Sequence, residues 1–341
     1  MKDMDGQKTE NKSLKWVANW INACTDNGIK PWQFDFKRLY LDDSYSAKDQ
    51  HAPLEEGDYP NLHLWLKYKF TKELDKKSPN ISDLVDNYSA FEVDKAAFPI
   101  YVALGWQKSV NDQINGDTVN SLGTTFTQLL SVSNTQFSME NTERWQQLVG
   151  DIPNLKSKLQ QWGTGEYDQE LDQIASFQFA TENGGKVKHG DNEIAVMKEL
   201  ERFAALTSSI GNFMVFPSWM NQGRGIGNIH DYWDLALRDM RNFWMEISGD
   251  DTFWQDYLNK YYMHEFTYGN GEVVELWSGH LTGPRAYPTN QADIAEYFFN
   301  ANRIIENRGK KMVCELVKII LEQHDEDIQL NEGAKKLIDA G

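Results

Sequence analysis

Apolar residues recur at helical spacing in several separate stretches of the chain. Trp16, Val17, Trp20, Ile21 and Cys24 fall on one face of residues 14–24. Ser13 stands where a cap is needed, and Asn27-Gly28 followed by Pro31 gives a stop. Val196, Leu200, Phe203 and Ala204 form a second stripe over 193–206, with Asn192 as its cap. Trp233, Leu237, Met240, Trp244 and Ile247 form a third, behind Asp231 as the capping residue. Asp234 and Arg238 stand four apart on that helix, the spacing of a helix-face ion pair. Trp254, Tyr257, Leu258, Tyr261 and Tyr262 make a fourth, capped by Asp251 or Thr252. From Thr289 the last helices begin. Ile294, Tyr297, Phe298, Ala301, Ile304 and Ile305 mark one face, which Val313, Leu316, Val317 and Ile320 continue past Gly309. Residues 119–130, 141–162 (in two pieces about Pro153) and 167–179 also read as helical.

Strand signals are fewer and shorter. Residues 98–105 are rich in branched and aromatic side chains and read as a β-type run. Phe213–Phe216, closed by Pro217, suits a buried strand or extended segment. Tyr268-Gly-Asn-Gly-Glu272 lies between two apolar runs and signals a hairpin. Residues 34–60 read as irregular. The expected class is mainly α, an α+β chain with a minor sheet or hairpin, folded as a compact helical body. Residues 1–12 are polar and are expected to form a disordered tail, leaving 13–341 as a single globular domain. Residues 182–192 carry three glycines and no large apolar side chain, which makes them the best internal boundary between two lobes.

The formal charge is −17. A chain this acidic is repelled by phosphate backbones and anionic membrane surfaces, so a nucleic-acid role would need a local basic patch. No segment approaches the roughly 20 apolar residues of a membrane helix. Cys24 and Cys314 lie far apart and in no Cys-x-x-Cys pair, which fits two buried thiols in a reducing cytoplasm. Twelve tryptophans and 13% aromatics supply large core fillers.

The densest concentration of turn chemistry and polar groups is 208–244. Asn212 follows Gly211 and can bond its own neighbours in a turn. Gly223, Arg224 and Gly225 combine glycine backbone N–H groups with a guanidinium, the elements of an anion site, although the spacing matches no phosphate-binding loop. His230-Asp231 is one of two His-Asp dipeptides in an aspartate-rich chain, so the pair alone carries little. Asp42, Asp43, Asp49 and His51 read as a solvated loop rather than a metal cage. There is no P-loop, dinucleotide fingerprint, nucleophile elbow or His-Glu-x-x-His motif.

The run IGNFMVFP…N…RG…HDYWDLAL, with the earlier LHLWLKYKF and GDTVNSLGTTF, resembles an uncharacterised family of bacterial proteins of similar length. That resemblance implies a fold and a bacterial source and nothing about mechanism. GNFMVFPSWMN is also similar to the second half of a divergent HNH nuclease finger. That resemblance implies His189 as the general base, Asn221 as the residue that orients it, and His230 as ligand to a divalent metal, the one cofactor any reading of the chain requires. His189 is here followed by Gly190-Asp191, which departs from the finger. Three functional readings follow. The first is a non-enzymatic binding or interaction protein, the second an HNH-like metal-dependent nuclease of the kind used in phage defence, and the third a phosphate- or anion-binding protein using Asn212, Gly223, Arg224, Gly225 and Asp231.

Overall fold

The structure is a computed structural model that describes residues 4–40, 60–61, 97–106, 119–121, 186–189, 192–215, 233–282, 291–323 and 325–340. These residues are mainly helical. In chain order the named elements are α1 (Met4–Asp26), α2 (Phe98–Ala103), β1 (Val119–Ser121), β2 (Lys186–His189), β3 (Asn192–Ala195), α3 (Val196–Leu206), β4 (Phe213–Val215), α4 (Trp233–Ser248), α5 (Thr252–Lys260), α6 (Gln291–Glu322) and α7 (Glu332–Lys335). Short 3₁₀ turns at Pro31–Gln33, Phe36–Tyr40 and Ile210–Asn212 connect them. β1 pairs antiparallel with β4, and β2 with β3.

The organising element is α6. A surface helix hides one stripe; this one buries residues on most of its circumference. Ala295, Phe298, Ala301, Ile304, Ile305, Arg308, Met312, Val313, Leu316, Val317 and Ile320 are all buried. Arg303, Lys311 and Lys318, seven or eight residues apart, mark its exposed edge. α3, the Ile210–Asn212 turn, the Pro31–Gln33 turn and the chain's 336–340 segment all pack on it. α1 packs on α2, and its Trp20 joins Phe34 and Phe36 from the turns that follow it in an aromatic cluster that reaches Phe213.

Two glycines let backbone meet backbone along this helix. A Cβ on Gly211 would lie 1.9 Å from the Ile305 carbonyl oxygen. A Cβ on Gly309 would lie 3.0 Å from the Trp32 Cβ. The close approach explains why α6 runs unbroken through Gly309, where the sequence suggests two successive helices. The cost of a mid-helix glycine is about 1 kcal/mol, and the packing it allows exceeds that.

Other elements differ from the sequence expectation for identifiable reasons. Residues 98–103 are helical rather than a strand. Pro99 sits in the first turn, where a missing N–H costs nothing, and Phe98 to Val102 are buried on every side, so no period distinguishes helix from strand. α1 begins at Met4, upstream of Ser13 and within the segment assigned to a disordered tail. Once residues 14–24 dock, each further helical residue adds a hydrogen bond without a new nucleation cost. Val119–Ser121 is extended, not helical, and pairs with β4. Asn192 opens β3 instead of capping a helix, and residues 186–195 form an antiparallel pair. The Tyr268–Glu272 hairpin is reduced to a tight turn closed by one bridge, Thr267 to Val273.

The Gly211 contact yields a test. Gly211→Ala is expected to cost about 3 kcal/mol or to prevent folding, because backbone and not a flexible side chain must move. Gly269→Ala, with no heavy atom near the added methyl, is expected to stay within about 0.5 kcal/mol. Urea midpoints at unchanged m-value measure both.

Candidate functional site

The part of 208–244 that is described proves to be a set of backbone anchors. The amide of Asn212 donates to the Thr207 carbonyl at 2.7 Å and accepts from the Trp233 indole N–H at 2.7 Å. All three groups are buried. Asn212 therefore ties the turn after α3 to the first residue of α4. Trp233 stacks on Phe266 with ring centroids 4.1 Å apart.

Asp234 does not pair with Arg238. Its carboxylate accepts from the backbone N–H of Leu235 and of Leu276, both at 2.9 Å, and meets the His280 imidazole. His280 lies flat on Trp277. Arg238 turns instead to Asp239 and the Leu281 carbonyl. Glu275 accepts from the N–H groups of Gly279 and Leu281 and closes the 275–281 loop on itself, while Asp234 and Arg238 hold that loop to α4. Asp234 and His280 are both fully enclosed. The geometry orients a loop and leaves no room for a substrate at the imidazole.

Of the other residues singled out, His189 ends β2, and Asn221, Gly223, Arg224, Gly225, His230 and Asp231 lie outside the described residues, as do Asp42, Asp43, Asp49 and His51. Among the described residues, no three His, Cys, Asp or Glu side chains converge as a metal ion requires, and no helix is long and apolar enough to cross a membrane. Cys24 and Cys314 are both buried. Burial pushes the Cys24 thiol well up, away from the reactive thiolate.

An open cleft of about 590 Å³ lies elsewhere, between the end of α1, the two 3₁₀ turns that follow it, Pro60-Asn61 and the last turn of α3. Lys30, Arg38 and Arg202 line it, together with the amides of Asn27, Gln33 and Asn61. The charged residue opposing them in the lining is Asp35. Asp35 is already engaged. Its carboxylate sits 2.9 Å from the Lys37 ammonium and accepts from the Lys37 N–H. Lys37 also donates to the Ala204 carbonyl and the Thr207 hydroxyl, both at 3.1 Å. Burial pushes Asp35 up and Lys37 down, and each charge opposes the other's shift. The pair pins the 3₁₀ turn under the cleft to the end of α3.

The other side of the cleft is anchored to α6. Gln33 donates to Glu306 at 2.6 Å, and Arg202 pairs with the same carboxylate while standing 3.5 Å from Glu199. Asn61 donates twice to Glu201, both at 2.7 Å. Sequence reasoning missed every lining residue. They come from three stretches, 27–38, 60–61 and 202–206, and each polar one alone is an ordinary side chain. The one available hint was Lys37-Arg38 beside Asp35 in a strongly acidic chain.

No family model, no curated protein and no solved structure matches this chain.

Glu306 gives the cleft wall a pH dependence. Burial raises its carboxyl, but the Arg202 bond and charge, the Gln33 amide and Lys310 bring it below the usual carboxylate range. A lowered carboxylate stabilises the fold above that range and loses the effect as pH falls through it. Glu306→Gln is expected to lower stability by about 1 kcal/mol at pH 7. The gap to the parent protein should close as pH falls through and below the usual carboxylate range. Denaturant titrations across that range check it, and a gap constant with pH contradicts it.

Proposed function

We propose that the protein is a non-enzymatic binding protein whose cleft takes a small organic anion, a carboxylate or phosphate ester. The observation that carries this reading is the lining of the cleft. Three cationic side chains, Lys30 and Arg38 from the stretch after α1 and Arg202 from α3, converge on it, although the chain as a whole carries −17. The charge of Arg202 is largely answered by Glu306 and Glu199, and that of Asp35 by Lys37. Among the described lining residues three cations therefore face one carboxylate, that of Asp35, whose charge acts on both Lys37 and Arg38, and Lys30 is exposed at the cleft. A guanidinium grips a carboxylate or phosphate with two parallel bonds, and the cleft walls lower the dielectric around it. Ile29, Pro60, Ala205 and Leu206 give the same cleft an apolar side for the body of the ligand. The bacterial source and cytoplasmic setting implied by the sequence fit a metabolite of this class.

Isothermal titration with citrate and with inorganic phosphate tests the reading. One equivalent is expected to bind the parent protein with Kd in the range of about 10 μM to 1 mM. Lys30→Glu, an exposed change, should weaken binding roughly tenfold. No binding of either anion at about 10 mM, or binding that Lys30→Glu does not alter, overturns the reading.

A further inference from the structure

At the far end of α4 the chain exposes an apolar corner. Ile247 is 54% exposed and Phe253 49%. Trp244 and Phe243 are half-buried beside them, with ring centroids 5.8 Å from Trp244 to Phe253 and 5.0 Å from Phe243 to Trp244. The first turns of α4 bury the same helical stripe completely, at Trp233, Leu237 and Met240. The stripe thus continues off the core and into solvent.

Around that apolar corner stand Glu246, Asp250, Asp251 and Asp256, all exposed. Three of the four lie at or just beyond the C-terminal end of α4, where the carbonyl ends already carry partial negative charge and cations are favoured. The last turn of α4 holds no basic residue. Two cations of α4 and α5 are engaged elsewhere: Arg241 pairs with Glu272 at 2.8 Å, and Lys260 sits over the Tyr261 ring. Asp250 receives the Thr252 N–H and Asp251 the Gln255 amide, which accounts for one oxygen of each. Asp250 and Asp251 also precede the N-terminus of α5, which favours negative charge, and the Thr252 bonds hold the Asp250 carboxyl below its usual range, so the corner keeps its acids ionised and exposed.

We infer that this corner is a docking surface for a basic amphipathic helix of a partner protein. Its apolar side chains would lie across Trp244, Ile247 and Phe253 while its Lys and Arg residues meet Glu246, Asp250 and Asp251. The charge selects this occupant. A second copy meeting the same corner would set these acids against their own counterparts. Nucleic acid and anionic membrane carry the same sign as the patch. A helix with apolar anchors three or four positions apart and a cationic flank satisfies both halves of the surface. The contact is small and suits a transient complex.

The test uses the full chain and a labelled synthetic peptide of about 14 residues, Leu and Lys in helical amphipathic order, followed by fluorescence anisotropy. A peptide of the same composition in scrambled order is the charge control. The parent protein is expected to bind the ordered peptide at least tenfold more tightly than the scrambled one. The double substitution Ile247→Ser and Phe253→Ser, which leaves every charge in place, is expected to abolish that preference with an unchanged thermal midpoint. Glu246→Lys with Asp251→Lys should weaken the ordered peptide further. Equal binding of both peptides, a preference that survives the double substitution, or no binding of either peptide overturns the inference. So does concentration-dependent self-association in sedimentation velocity that the double substitution removes, which would assign the corner to a second copy.

Discussion

A guanidinium without water around it has to be answered by something, and in this fold the answer is the backbone. Arg308, in the middle of α6, is fully buried. It donates to the carbonyls of Gly211, Phe213 and Tyr261. The Trp106 and Trp233 rings lie 5.8 Å from its centre. Burial lowers its pKa to about 10, which leaves it cationic at neutral pH. The three carbonyls belong to the turn before β4, to β4 itself and to the end of α5. One side chain therefore closes the loose backbone ends of three segments onto the central helix. Charge-assisted bonds of this kind exceed neutral ones, and each carbonyl left without a donor would cost about 1–3 kcal/mol.

The bonds depend on distance, and distance depends on Gly211. Because no side chain separates that turn from α6, the Gly211 carbonyl comes to 2.7 Å from the guanidinium. Asn212 then fixes Trp233, whose ring covers the cation. Glycine, asparagine, tryptophan and arginine form one unit here, and the described polar groups of 208–244 are spent on architecture. Among the described residues, the cleft beside the 3₁₀ turns is a place where polar groups line open space.

Much of the helical framework was legible because amphipathic stripes survive in sequence. Trp254, Tyr257, Leu258 and Tyr261 are buried as their spacing implies. The failures share a cause. Where a segment is enclosed on all sides, as at Phe98–Val102, no polar face remains to reveal its period. Where tertiary bonds outbid local ones, as at Asp234, the helix-spacing rule names the wrong partner. Arg308 did leave a trace. It lies in the apolar register of Ala301, Ile304, Ile305 and Met312, and a cation at such a position signals a buried anchor. The cleft left almost none, since Lys30, Arg38, Asn61 and Arg202 are brought together only by the packing of α1, α3 and α6.

The dependence of the fold on the buried guanidinium is tested most directly by equilibrium denaturation of Arg308→Met, which keeps the bulk and removes the donors. Loss of about 4 kcal/mol or more, or failure to fold, is the predicted result, since three carbonyls lose their donor together. Arg308→Lys should recover only a minor part, because an ammonium lacks the planar fork that spans them. A methionine variant as stable as the parent protein would show that packing alone holds these segments together and would contradict the account.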